Sequence, residues 1–177
     1  MGRVAGLAVV GCCLLAACGS PGHKIAPSTR TPPGYLAVRA PAWPDGGSLT
    51  APVACSATNP GRSPAVSWRP GPPGTQSYAV TVTDPDAHDF LHWAVLGLPA
   101  STRSLPAGAS PGGALPGGAH ELRNGFGAVG YGGPCPPPGS RHRYVLTVWA
   151  VKGEPGSVDD LRREAPYTVS LTATYGR

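Results

Sequence analysis

The sequence predicts an all-β domain, and three observations carry that expectation. Its 177 residues include 26 Gly and 23 Pro, a density that interrupts any long helix. Val, Thr, Tyr and Trp recur in short runs, several alternating with small or polar residues as strands half-covered by a core do. Only one stretch, Ser157–Glu164, reads as a helix. Ser157 suits its N-cap, Asp159 and Asp160 its positive end, and Arg162 and Arg163 its negative end.

In chain order, Tyr35–Val38 is a candidate first strand, and Pro44-Asp45-Gly46-Gly47 is a turn. Leu49–Ala57 is a second candidate, interrupted by Pro52, and Ala65–Trp68 is a short third. Tyr78–Thr83 alternates cleanly, which predicts a half-buried strand, while His92–Leu98 is continuously apolar and predicts a strand covered on both faces. Ser104–Gly118 carries no period and reads as a long surface loop. Arg143–Val151 and Tyr167–Tyr175 complete the set as strong strands. Many strands with one short C-terminal helix give a β-rich sandwich or α+β domain.

The N-terminus reads as processing signal. Arg3 precedes an apolar stretch, Val4–Ala17, that is shorter than the ~20 residues of a bilayer span. It ends in Leu15-Ala16-Ala17-Cys18, which resembles the bacterial lipobox. That resemblance implies a signal peptide over 1–17 and a diacylglycerol-modified Cys18 as the first mature residue. Residues 18–34 then form a Gly/Pro/Ser/Thr-rich tether and 35–177 the folded domain, held on the extracytoplasmic side of the cell membrane. Cys55 and Cys135 are left as an even pair, for which an exported protein permits either a disulfide or two free thiols. The formal charge of +5 is spread out. No basic cluster interleaved with aromatics is present, so the chain is not read as a nucleic-acid binder.

Three polar clusters sit at predicted strand ends: Asp84-Pro85-Asp86, then His92-Trp93, then Gly132-Gly133-Pro134-Cys135-Pro136-Pro137 leading into His142-Arg143-Tyr144. Together with Asn124-Gly125-Phe126-Gly127 and Ser63–Trp68, these segments resemble, in order, the signature segments of the phosphatidylethanolamine-binding protein family, closest to its bacterial branch. The resemblance runs from about Tyr35 to the C-terminus. It implies two antiparallel sheets with a small anion-accepting pocket at one end. Asp84, Asp86, His92 and His142 would line that pocket, the Gly132-Gly133-Pro134 backbone would stand at its mouth, and Tyr144 would lie near it. The family commonly has Pro where this chain has His88, which leaves His88 either as a further donor or facing solvent.

Imidazoles and backbone N–H groups donate to phosphate oxygens, so affinity for a phosphate is expected to rise as pH falls toward about 6. The reading is therefore a lipid-anchored, non-enzymatic binding protein that needs no cofactor or metal. Its partner is a small anionic or phosphate-bearing ligand, a lipid head group included, and the family's link to protease and kinase inhibition suggests a regulatory role. Two alternatives stand beside it. One is a metal-assisted hydrolase built from the Asp and His residues; the other is an envelope interaction protein whose pocket is vestigial.

Overall fold

The computed structural model describes residues 1–2, 34–56, 59, 61–165 and 167–177. Residues 3–33, which hold all but the first two residues of the expected signal peptide, the expected lipidation site Cys18 and most of the expected tether, lie outside the described residues, and no helix among those described is long and apolar enough to cross a membrane. The strands are β1 (Val38–Arg39), β2 (Val66–Trp68), β3 (Ser77–Asp84), β4 (Phe90–Pro99), β5 (Ser104–Leu105), β6 (His120–Glu121), β7 (Arg141–Val151) and β8 (Tyr167–Gly176). The one α-helix, α1 (Val158–Glu164), precedes β8. The strands form two antiparallel sheets, a five-stranded one in the order β6-β4-β3-β7-β8 and a three-stranded one in the order β1-β2-β5.

The main core fills the space between the sheets. Tyr78, Val80 and Val82 of β3, Leu146 and Val148 of β7 and Trp93 of β4 are wholly or almost wholly buried there beside Val66 and Trp68 of the small sheet. A second, smaller cluster covers the opposite face of the large sheet, where Leu161 of α1 packs with Ala79, Leu96 and Val151. Strand β3 is therefore covered on both sides rather than half-buried as its alternation predicts. Its small side chains make room for the helix, and Thr81 Oγ1 accepts a hydrogen bond from the Trp149 indole at 2.9 Å. Helix α1 is capped as its sequence suggests, with the Ser157 hydroxyl accepting from the Asp160 N–H at 3.1 Å.

Three expectations fail locally. Leu36 adopts a φ of 48° and is buried; this left-handed residue prevents an extended Tyr35–Val38, and β1 is pushed to Val38–Arg39. The described part of Leu49–Ala57 forms turns instead of a ladder, because Pro52 has no N–H to donate. Residues 104–118 are not only surface. They open as β5, and Leu105, Ala109 and Ser110 are buried. Ser110 is stitched in by its N–H to Ser63 Oγ at 3.0 Å and by its Oγ accepting from the Tyr131 N–H at 2.7 Å.

Candidate functional site: a histidine-lined pocket at the end of the large sheet

The pocket is made by the ends of three adjacent strands. Along β3 the core-facing row Tyr78, Val80, Val82 ends in Asp84, which is buried. Along β7 the row Val148, Leu146, Tyr144 ends in His142. Period-two alternation thus carries an acid and an imidazole to the same end of the core. The third contribution breaks that period. Trp93 pairs with Val82 and Leu91 with Thr83, so His92 is an extra residue in β4 with no partner on β3. Such a bulge re-aims its side chain, and both Trp93 and His92 are buried. The His92 ring meets the Tyr144 ring edge to face at 5.3 Å.

Asp84 is held by the turn that follows it. Its Oδ1 accepts from the Asp86 and Ala87 N–H groups at 2.9 and 3.1 Å, capping the 3-10 turn Pro85–Ala87. Its Oδ2 lies 2.7 Å from His142 Nδ1. With Asp84 ionised, Nδ1 must carry the proton, so a neutral His142 presents a lone pair at Nε2. His92 repeats the logic. Its Nδ1 is 2.7 Å from the Gly132 carbonyl oxygen, which can only accept, so Nε2 is again the lone-pair nitrogen of the neutral ring. Burial pushes the His92 pKa below the ordinary histidine value, against the opposing pull of that carbonyl and of Asp84.

Between the histidines lies Tyr144. It is fully buried, and its hydroxyl has no hydrogen-bond partner among the described residues. Burial, with the Asp84 carboxylate nearby, pushes its phenol above the ordinary tyrosine range, so it stays protonated at neutral pH. Apolar walls close the pocket: Ala87, Phe90, Phe126, Pro136 and Pro137, with Cys135 at one edge. The rings of Phe90, Phe126 and His92 meet edge to face at 4.8–5.5 Å. The volume is about 140 Å³, well under the ~300 Å³ at which drug-sized pockets begin, a size that suits a head group.

Residues 39–174 match the family described as phosphatidylethanolamine-binding protein. The chain belongs to that family. YbcL of Escherichia coli is 48% identical over 103 residues, covering 55% of this chain and 56% of YbcL. The "Putative lipoprotein LppC" of Mycobacterium tuberculosis is 32% identical over 117 residues, 64% of this chain and 54% of LppC. The chain spans between about half and two thirds of the length of the first curated relatives it matches. The crystal structure of YbcL, described as a member of the mammalian PEBP family, superposes with a TM-score of 0.74 at 34% identity, over 81% of this chain and 99% of that one. These likenesses bear out the all-β, two-sheet phosphatidylethanolamine-binding protein fold and the bacterial branch.

Within this member of the family the structure brings Asp84, His92, His142 and Tyr144 together. It turns Asp86 away. The Asp86 carboxylate accepts from the Arg143 backbone N–H at 2.7 Å and from its guanidinium at 2.5 Å, on the outer face of β7. That pairing holds Asp86 down at about 2. Gly132, Gly133 and Pro134 do not line the pocket either. The Gly132 N–H is committed to the His92 carbonyl at 2.9 Å and the Pro134 carbonyl to the Cys55 N–H at 3.0 Å, contacts that fasten the loop behind the pocket wall. His88 caps the 3-10 turn at a φ of 56° and faces solvent. Cys55 and Cys135 are joined in a disulfide, with Cα atoms 5.3 Å apart. Among the described residues no group of three or more His, Cys, Asp or Glu is placed to hold a metal ion.

Phe90 and Phe126 were not identifiable as site residues from composition or period. The available signal was a lone aromatic in a Gly-rich turn, Asn124-Gly125-Phe126-Gly127, where a phenylalanine has no core to fill.

Proposed function

We propose that this is a lipid-anchored binding protein that holds a small phosphate-bearing ligand in a protonated state, and binds it without turning it over. The observation that supports the ligand reading is the Tyr144 hydroxyl. A buried hydroxyl left unpaired costs about 1–3 kcal/mol; that of Tyr144, a residue lining the head-group-sized pocket between two histidines, makes no hydrogen bond of good geometry among the described residues, with the Asp84 carboxylate its nearest polar neighbour. With both rings neutral the pocket offers two Nε2 lone pairs and a carboxylate, a surplus of acceptors. A phosphate therefore enters with its own P–OH proton, or with proton uptake by a histidine. Phosphoethanolamine fits the same set, since its ammonium is a donor for the remaining carboxylate lone pair of Asp84. Donation by the glycine loop plays no part in this reading. Anchoring through Cys18 is supported by the lipobox resemblance and by the likeness to LppC.

The test is calorimetric titration with inorganic phosphate and with phosphoethanolamine between about pH 5 and 8, run in buffers of different ionisation enthalpy to count protons. Saturable binding that tightens toward acid pH with proton uptake is expected, and is lost in a folded His92→Ala, His142→Ala double variant. Binding that is absent, or that survives in the double variant, sinks the reading. For the anchor, Cys18→Ala is expected to move the protein out of the membrane fraction; membrane retention by that variant would refute lipidation at this residue.

A further inference from the structure

The nine acidic residues of the chain are unevenly placed. Asp84, Asp86 and Asp89 lie in or beside the 3-10 turn, Glu121 holds the Trp93 indole, and Asp45 accepts from the Thr172 N–H of β8. The other four, Glu154, Asp159, Asp160 and Glu164, lie in or just before α1. Every one therefore belongs to the large sheet, its turns or its helix. None precedes Asp45, and none falls within 46–83 or 90–120, the stretches that supply all three strands of the small sheet.

The outer face of that small sheet is basic. Strand register puts Arg39, Ser67 and Ser104 in one exposed cross-strand row, while Val66, Trp68 and Leu105 turn to the core. Arg69 borders the same shallow cleft as Arg39 and Ser67. Arg62 borders a cleft that shares Pro41 and Ala65 with the one beneath Arg39. Arg39, Arg62 and Arg69 are all exposed and form no ion pair among the described residues. Arg103 differs, since its guanidinium bonds the Ala100 and Thr102 carbonyls and lies over the Tyr78 ring. Three unpaired charges of one sign with no acid among them make a field that an anionic surface satisfies.

The chain enters the domain at this sheet. The Leu36 N–H donates to the Pro70 carbonyl and the Arg69 N–H to the Ala37 carbonyl, both at 2.9 Å, so the entry segment runs beside Arg69. Tyr35, one residue earlier, is 39% exposed, and tyrosine is a side chain suited to head-group level. The expected tether, 18–34, adds Lys24 and Arg30 and no acid.

We propose that the outer face of the small sheet, through Arg39, Arg62 and Arg69, docks on the anionic head groups of the bilayer that holds the chain. This rests on the anchoring reading and is independent of the histidine pocket. The bilayer is the occupant because the anchor delivers the face to it: a tether of this composition and length reaches about 20–25 Å, within a few Debye lengths of about 8 Å. Each arginine at such a surface strengthens attachment about five-fold, and the three together about a hundred-fold.

The test uses the full chain purified from membranes and reconstituted in vesicles, with a nitroxide at Ser67→Cys in the arginine row or at Glu164→Cys on α1. Exposure of each label to a water-soluble paramagnetic chelate is read in phosphatidylcholine vesicles with and without phosphatidylglycerol. With phosphatidylglycerol the Ser67 label is expected to be shielded several-fold and the Glu164 label to stay open. Shielding should vanish in the triple variant Arg39→Gln, Arg62→Gln, Arg69→Gln, return when all three are Lys, and fade in about 1 M salt, where the Debye length is about 3 Å. It should persist in the His92→Ala, His142→Ala variant. An open Ser67 label on anionic vesicles overturns the proposal, as does equal shielding on neutral ones or shielding lost with the pocket histidines. Mass analysis of Cys18 judges the anchoring reading separately. A chain without lipid there fails that reading, and the face is then judged by co-flotation with the same anionic vesicles: about a hundred-fold weaker flotation of the Gln variant upholds it, and equal flotation overturns it.

Discussion

Asp84 and Asp86 flank a single proline and have opposite fates. Asp84 is buried, caps a turn with one oxygen and holds His142 with the other. Asp86 is exposed and grips Arg143, the residue next to His142. The difference is set by β7, whose alternation sends His142 to the core end and Arg143 to the outside. One carboxylate serves the pocket and the other fastens the pocket's turn to the sheet. Residue type alone does not tell them apart; the face of the partner strand does.

The largest effect is expected from breaking the inner pair. Asp84→Ala removes the one oxygen that accepts both capping N–H groups and leaves His142 unpaired, and is expected to cost about 3 kcal/mol in denaturant unfolding with phosphate binding abolished. A loss as small as that of a surface site would mean that Asp84 does not organise the pocket.

Next comes His92, whose effect carries a pH signature. In the unfolded chain it takes up a proton near the ordinary value of 6.5, and in the folded protein only at lower pH. Between those points the unfolded state binds more protons, so stability falls as pH drops below about 6.5. In His92→Gln that acid-side decline should flatten, and phosphate affinity should fall about ten-fold or more. Thermal melts at pH 5 and pH 7 read the first outcome. A slope unchanged from wild type would show that His92 is not the buried titrating group.

Tyr144→Phe separates folding from binding. Deleting an unpaired buried hydroxyl should leave stability unchanged or raise it by up to about 1 kcal/mol, while ligand affinity drops about ten-fold. A clear loss of stability would mean the hydroxyl has an internal partner. The smallest effect is expected at the outer pair. Asp86→Asn should leave phosphate affinity within about two-fold and lower the melting point slightly at neutral pH. The wild-type contribution is present above the ordinary 3.8 and fades as pH falls toward about 2, so wild type and variant should converge in strong acid.

Much of the sheet was legible because its strands are long and alternate. β3, β4, β7 and β8 lie where the Val/Thr/Tyr runs put them, and α1 sits between its Ser cap and basic end. The small sheet was harder, since two-residue strands such as β1 and β5 have no period to detect. In the site, Asp84 and His142 are legible through the family resemblance, and the structure supplies the physical reason they meet: each is a polar residue closing an apolar row. The resemblance puts Asp86 in the pocket, whereas its partner is Arg143, a pairing that becomes visible only once β7 is oriented. The signature Gly132-Gly133 reads as ligand-facing backbone, whereas in the structure Gly132 serves the His92 ring and seats Phe126. The inward turn of His92 depends on a register slip, and register is a property of two strands at once.

That slip has a consequence of its own. The His92 bulge is a matter of residue count, with one more position on β4 than on β3 between the pairs Val82–Trp93 and Thr83–Leu91. Deleting that position makes the ladder regular at this end, the second shift between Tyr78 and Val80 being left as it is, and keeps the core side chains in their old partnerships, but the pocket loses its deepest histidine. A pocket of this design is therefore switched by insertion and deletion more readily than by substitution. Across sequences sharing this sheet, the spacing between the Asp-Pro-Asp turn and the tryptophan of β4 is then a more telling character than the identity of any residue between them.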